Sequence, residues 1–450
     1  MNKRFTTFLS VILVSAFFTQ PVAANQPKLS YIRDAEIEHT LRSYATPLFT
    51  AAGLNANDVS IHLINNKVIN AFVAGGQRMF FFTGLLERVE SPSQLKGIIA
   101  HETGHIAGGH LARTQEALKN ATTKSIIGYL LGAAAVIAGG AEGGVAVVGG
   151  AQALAQKSFL KYSREQESSA DQASLRYLER TGTSGRGMME FLRILEQNEQ
   201  ISYGKVDPYW RSHPINNERI AALARQVEKS PYRDVPDSPQ DIRALKFIQA
   251  KLVGFTENLR ETLKQYPPED KSEFARYARA IAYFRHPDIE KGLKEIDSLL
   301  LENPTNPYFY ELKGQMLYEN GNIAASLAPL KTATEIAPYE PLILTLYGTS
   351  LIANNQPQTD QEAVDTLKTA LAYDPNNSRT WYQLATAYSR IGDEANLALA
   401  SAERFMLLGN AQKASFHAKR AQNLFPVGTP GYLRADDIIA ISKNLLKDKS

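Results

Sequence analysis

Apolar residues recur at helical spacing over residues 30–53, where Ile37, Leu41, Tyr44 and Leu48 share one stripe, and a pair of packing helices is expected there. The period then shortens. Between Val59 and Phe82 the runs VSIHLINN, KVINAFVAGG and RMFFFTG are β-rich and bounded by Asn-Asn and Gly-Gly, which predicts two or three strands of a small antiparallel sheet. The segment NAFVAGG is the candidate for an exposed edge, where an extended peptide can add as a further strand. Helical spacing returns in SPSQLKGIIAHETGHIAGGHLAR. Ser91 and Gln94 form a capping box there, with Pro92 at the first helical position. Residues 125–155 are apolar and rich in Gly and Ala, but Gly139-Gly140 and Glu142 interrupt the run. It reads as a helical hairpin near the active site rather than a membrane span. Over KYSREQESSADQASLRYLER, the positions of Ala170, Ala173, Leu175 and Leu178 predict another helix, with Glu167 and Asp171 one turn apart on one face.

Past Glu228 the chain becomes polar and proline-rich, and a domain boundary is placed there, between residues 25–235 and residues 240–450. The second part is repetitive. Ala280, Gly314, Gly348 and Ala385 are spaced by 34, 34 and 37 residues, and Pro304, Pro338 and Pro375 follow the same rhythm, with NNQPQTD absorbing the extra three. This is the tetratricopeptide pattern over residues 270–427, with Gln240–Tyr266 as a packing helix, so an α-solenoid that holds peptides or partner proteins is expected. Tyr310, Tyr318, Tyr347 and Tyr382 fall in helical register and are read as core before groove.

Composition adds an address. Lys3 and Arg4 precede an apolar run from Phe8 to Phe18, and Val22-Ala23-Ala24 is a small-residue cleavage site, so residues 1–24 are read as a secretory signal peptide. The chain has no cysteine for a disulfide or a lipid anchor. Setting aside Lys3 and Arg4 leaves 47 of the 49 basic residues against 46 acidic ones, a near-neutral balance that points away from nucleic acid.

The candidate chemistry lies in His101-Glu102-Thr103-Gly104-His105. On a helix, histidines four apart share a face and can hold one zinc ion, while the intervening glutamate can take a proton from a metal-bound water. A third ligand must come from elsewhere. Glu165 and Glu167 are both open to that role by spacing alone, and charges on such a helix are more often solvated than metal-bound. His213, before Pro214, reads alone as a loop residue. His39, His286 and His417 lack companions at ligand spacing and read as surface residues.

These motifs together resemble the peptidase family of the HtpX membrane protease and the CAAX prenyl proteases, and within it the BepA-like periplasmic branch. The resemblance rests on Asn70–Phe72, Gly75-Gly76, Thr83–Leu86, the HExxH motif and His110; Thr103 departs from it, since an apolar residue is commoner there. It implies a predominantly α, α+β fold: a zincin-type (gluzincin) metalloprotease domain with a small antiparallel sheet, followed by tetratricopeptide repeats. It implies one zinc ion per chain, held by His101, His105 and Glu167. The flanking Ser163-Arg164 and Ala170-Asp171 select Glu167 over Glu165. Glu102 is then the base, Asp171 fixes the tautomer of a ligand histidine, and Arg219 either stabilises an oxyanion or pairs with an acidic neighbour. His213 is a fourth ligand that would displace the catalytic water and leave the enzyme latent. The implied function is zinc-dependent proteolysis in the periplasm. The implied substrates are misassembled outer-membrane proteins, with the repeats contacting the outer-membrane assembly machinery. Independently of the resemblance, the apolar residues 125–155 are a candidate for peripheral membrane contact. The rival readings are an assembly chaperone with a latent zinc site and a membrane-associated processing protease.

Overall fold

The computed structural model describes residues 30–111, 150–201, 213 and 217–447; for 150–163 and 197–201 it describes the backbone alone. The expected signal peptide and most of the apolar 125–155 segment therefore lie outside the described residues.

The first helix, α1 (Ala35–Ala51), follows a two-residue strand, β1 (Tyr31–Ile32), and runs unbroken through Pro47, so one helix stands where a pair was expected. Asp34 caps it by accepting from the Ile37 amide. The predicted stripe of Ile37, Leu41, Tyr44 and Leu48 is buried. Three further strands follow: β2 (Ser60–Ile64), β3 (Ala71–Ala74) and β4 (Arg78–Phe82). The sheet order is β1-β2-β4-β3.

That order corrects the antiparallel expectation, because β2 and β4 run parallel and the sheet is mixed. Asn65-Asn66 does not fold β2 back onto β3. The carbonyl of Asn66 accepts from the Thr83 hydroxyl and the Gly84 amide, and its amide donates to Thr83 Oγ1, which ties it to the far end of β4. The chain thus passes outward, makes β3, and turns over Gly75-Gly76 to return as β4 between them. Strand β3 is left at the edge of the sheet.

One face of the sheet, with Ile61, Leu63, Ala71, Val73, Met79 and Phe81, packs into a core shared with α1. After the short α2 (Thr83–Arg88), α3 (Pro92–Ala107) joins the same core. Ser91 caps α3 by accepting from the Gln94 amide, while the Gln94 side chain takes the Glu90 amide. Helix α4 (Gly150–Arg180) lies against α3; α5 (Arg186–Ile201) and α6 (Asn217–Val227) complete the unit.

Helix α7 (Pro239–Thr256) belongs to two cores at once. Leu245, Ile248 and Leu252 enter the core under α3, whereas Phe247 and Ala250 pack with Tyr277, Ile281 and Phe309 of the array. After α8 (Leu259–Gln265) the chain forms helix pairs: α9 (Glu273–Arg285) with α10 (Ile289–Glu302), α11 (Pro307–Glu319) with α12 (Ile323–Ile336), and α13 (Pro341–Ala353) with α14 (Asp360–Tyr373). Two more follow: α15 (Ser378–Arg390) with α16 (Glu394–Leu407), and α17 (Ala411–Leu424) with α18 (Pro430–Lys447). The four periodic small residues, Ala280, Gly314, Gly348 and Ala385, lie on the first helices of the first four pairs. At Gly348 a Cβ would stand 2.7 Å from Leu367 Cγ on the second helix, so the small residue sets how closely the pair approaches. The three extra residues of the third unit form a short 3₁₀ turn at Pro357–Thr359. Tyr347 is core, whereas Tyr382 is exposed beneath Arg404.

The array also closes on the N-terminal helix. Ala35 packs with Ala333 and Ile343, and Arg33 reaches Asp374. His39, read from sequence as a free surface residue, pairs with Glu340 at 2.6 Å, and this hydrogen bond raises its pKa against the effect of partial burial.

Candidate metal centre

All five residues of His101–His105 are buried on α3. Gly104 between them lets α4 approach: a Cβ there would stand 2.9 Å from the Ala170 carbonyl oxygen. Ala170 lies between Glu167 and Asp171, so this contact of the two backbones brings both acids to the histidines.

His101 Nε2 and His105 Nε2 converge to 3.1 Å. Glu167 Oε2 is 3.3 Å from His101 Nε2, and its Oε1 is 3.3 Å from His105 Nε2. His213 Nδ1 stands 3.3 Å from His101 Nε2 and 3.2 Å from both Glu167 oxygens. These four ligand atoms lie within 4.8 Å of one another. Zinc–nitrogen bonds of 2.0–2.1 Å in a tetrahedron give ligand–ligand edges of about 3.3 Å, which is the spacing found here. Three imidazole nitrogens and a carboxylate converging at that spacing fit a metal ion. Glu165, the rival third ligand, is exposed and outside the cluster.

The surrounding groups orient these ligands. Asp171 Oδ1 is 3.0 Å from His101 Nδ1, on the side of the ring away from the cluster that Nε2 faces. Arg219 grips Asp171 with two hydrogen bonds, Nε to Oδ2 at 2.7 Å and Nη2 to Oδ1 at 2.8 Å, and its Nη1 is 3.2 Å from Glu167 Oε2. Of the two roles open to Arg219, pairing with acidic neighbours is the one this position fits. His110 lies behind His105, with its Nδ1 3.0 Å from His105 Nδ1. Sequence spacing assigned it no role; the Gly-Gly before it was the available signal.

Electrostatics favour a cation at this spot. Burial opposes charge on His101, yet Asp171 and Glu167 hold its pKa up at about 10. Burial lowers His105 to about 4. Burial would raise Glu167, but His213, His101 and His105 outweigh it and hold the carboxyl well below the usual range. Glu102 is fully buried, and that burial raises its pKa, as suits a proton acceptor. His213 Nε2 lies 3.2 Å from Glu102 Oε1, so the His213 ring spans the space between the ligand cluster and Glu102. Strand β3 borders the same place. The Asn70 carbonyl accepts from the Phe82 amide, so by antiparallel alternation Ala71 and Val73 turn their backbone groups away from β4, with Val73 beside the Glu102 carboxylate.

No described helix is long and apolar enough to cross a membrane. Residues 32–227 match the model of peptidase family M48, and residues 366–400 match a tetratricopeptide repeat model. The chain is similar to the beta-barrel assembly-enhancing protease of Yersinia pestis, with 25% identity covering 83% of this chain and 77% of that one. It is similar to the protein of the same name from Escherichia coli (strain K12), at 24% identity over 90% and 82% of the two chains. A putative beta-barrel assembly-enhancing protease of Vibrio cholerae is 24% identical over 92% of this chain and 84% of its own. The matched segment, the His/Glu cluster within it and the helical pairs that follow agree: residues 32–227 form a metalloprotease domain similar to peptidase family M48, continued by a tetratricopeptide-type array.

Proposed function

We propose that this chain is a zinc-dependent endopeptidase, with His101, His105 and Glu167 as the zinc ligands and Glu102 as the general base. The convergence of those three ligands beside a buried, proton-accepting glutamate is the observation that carries the reading. A bound zinc ion would polarise the scissile carbonyl and lower the pKa of a water. Glu102 takes that water's proton, and the open edge of β3 holds an extended substrate by backbone hydrogen bonds at Ala71. Asp171 and Arg219 keep the ligand set oriented.

His213 makes the resting site latent. Its Nδ1 lies where a fourth ligand would bind while its Nε2 faces Glu102, so one ring would keep water from a bound metal and cover the base. Opening is therefore the controlled step. Residues 1–24 are a signal peptide in this reading, and the protein works in the periplasm. The relatives' name ties them to β-barrel assembly. By analogy the substrates are misassembled outer-membrane proteins, and the array contacts the assembly machinery. The closure by His213 also favours a second reading, an assembly factor whose work is done by the repeats.

Casein cleavage by the mature chain, with zinc content determined in parallel, tests this. Glu102→Gln keeps its zinc and loses cleavage by about 10²–10⁴-fold; undiminished cleavage rules out Glu102 as base. His213→Ala retains zinc and cleaves faster than wild type. An unchanged or slower rate would sink the latency. Zinc-loaded wild type and His213→Ala that both fail to cleave favour the assembly factor.

A further inference from the structure

From the geometry behind His105 we infer that His110 is a positioning residue for the metal centre, accepting a hydrogen bond from His105 Nδ1–H and so presenting His105 Nε2 to the metal. The inference rests on the zinc reading above. In a continuous helix a residue five positions after His105 points about 140° away from it, so His110 reaches that ring only because the helix ends. Gly109 ends it, with φ +62°, in the left-handed region that glycine enters freely. Gly108 supplies the room: a Cβ there would stand 2.5 Å from His110 Nε2 and 2.8 Å from its Cδ2. The chain folds back, and the buried His110 ring meets His105 edge-on at 5.0 Å between centroids. A second contact comes from the ligand helix α4, where Gln166, next to Glu167, donates from Nε2 to the His110 carbonyl at 3.3 Å.

The proton assignment follows from the ligand. A metal-bound imidazole uses the lone pair of one nitrogen and carries its proton on the other. His105 Nε2 faces the cluster, so its Nδ1 bears the hydrogen and His110 Nδ1 accepts it. The two motif histidines thus have unlike supports: a carboxylate, Asp171, behind His101, and an imidazole, His110, behind His105. A second carboxylate there would add negative charge to the site and weaken the metal's pull on a carbonyl or water.

The test is zinc affinity of the full mature chain, read by competition with a chromophoric chelator, for wild type, His110→Phe and His110→Asn. Phenylalanine fills the volume without an acceptor. Asparagine restores a carbonyl oxygen near the position of Nδ1. His110→Phe should bind zinc about 10–100-fold more weakly, and His110→Asn should recover most of that loss, with thermal midpoints of the metal-free proteins close together. Gly108→Ala, which displaces the ring without altering it, should weaken zinc in the same direction. Wild-type affinity in His110→Phe, or equal losses in the two His110 variants, overturns the inference while leaving the zinc reading intact. Absence of zinc from the wild type overturns both.

Discussion

The ligand cluster around His101 and the charge cluster around Lys251 are both sealed inside the protein, and they differ in where the positive charge comes from. At the junction of the peptidase unit and the array, Lys251 Nζ on α7 lies 2.8 Å from Asp34 Oδ2 and 3.3 Å from Glu36 Oε2. Tyr277 donates to Glu36 at 2.8 Å. Burial opposes charge on Lys251, yet Asp34, Tyr277 and Glu36 raise its pKa well above the usual value. Here the chain brings its own cation, so the carboxylates have a partner and no place remains for a metal. At His101 three imidazole nitrogens and the Glu167 carboxylate converge on one point, and Arg219 stands on the flank of that carboxylate rather than between the ligands. A buried acidic cluster is thus read by what stands at its centre, not by its count of acids.

The comparison is broken most directly at Lys251. Lys251→Ala leaves the buried Glu36 and the half-buried Asp34 and Glu311 without their cation and should destabilise the protein by about 3–5 kcal/mol, read as a shift in the denaturant midpoint at constant slope. Unchanged stability would mean that Lys251 does not organise the junction.

Metal removal sharpens the other side. If a metal ion takes the part that Lys251 plays, a strong chelator should lower the thermal midpoint of the wild-type protein. The loss corresponds to about 2.7 kcal/mol where the metal stood at 100 times its dissociation constant. A chelator that leaves the midpoint unmoved would sink the parallel.

The smallest effect is at Glu311. Burial, with Asp34, Glu36 and Glu340 nearby, pushes its pKa up to about 8 despite the opposing pull of Lys251. Among the described residues, its Oε2 has no hydrogen-bond partner. A carboxyl with a raised folded-state pKa imposes no penalty below its unfolded value near 4.5, and stability falls as pH rises from there through about 8. Glu311→Gln should therefore stabilise the protein by about 1–2 kcal/mol at pH 8, with the gain shrinking toward zero below pH 4.5. A gain that is flat across this range would show that Glu311 is ionised throughout.

Legibility followed the range of the interaction. The spacing of His101 and His105 on α3, the apolar stripe of α1 and the 34-residue rhythm of the array are local or periodic, and helix geometry alone converts them into shared faces. The parallel pairing of β2 with β4 was not legible, because it depends on Asn66 being tied to Thr83 and Gly84, seventeen and eighteen residues on. Nor was the double membership of α7, whose residues are apolar on two faces without saying which core each face joins.

The sequence by itself determined that two imidazoles and a glutamate share a capped helix, that acids recur one turn apart on a later helix, and that the second half is built of paired helices. Tertiary structure decided the rest. The absence of a Cβ at Gly104 lets α4 come close enough to place Glu167 rather than Glu165 in the cluster. Packing also set Arg219 behind Asp171, His213 between the ligands and Glu102, and His110 behind His105. Each of these depends on the approach or reversal of backbones, and hydrogen-bond geometry, unlike helical period, is settled only when distant segments meet.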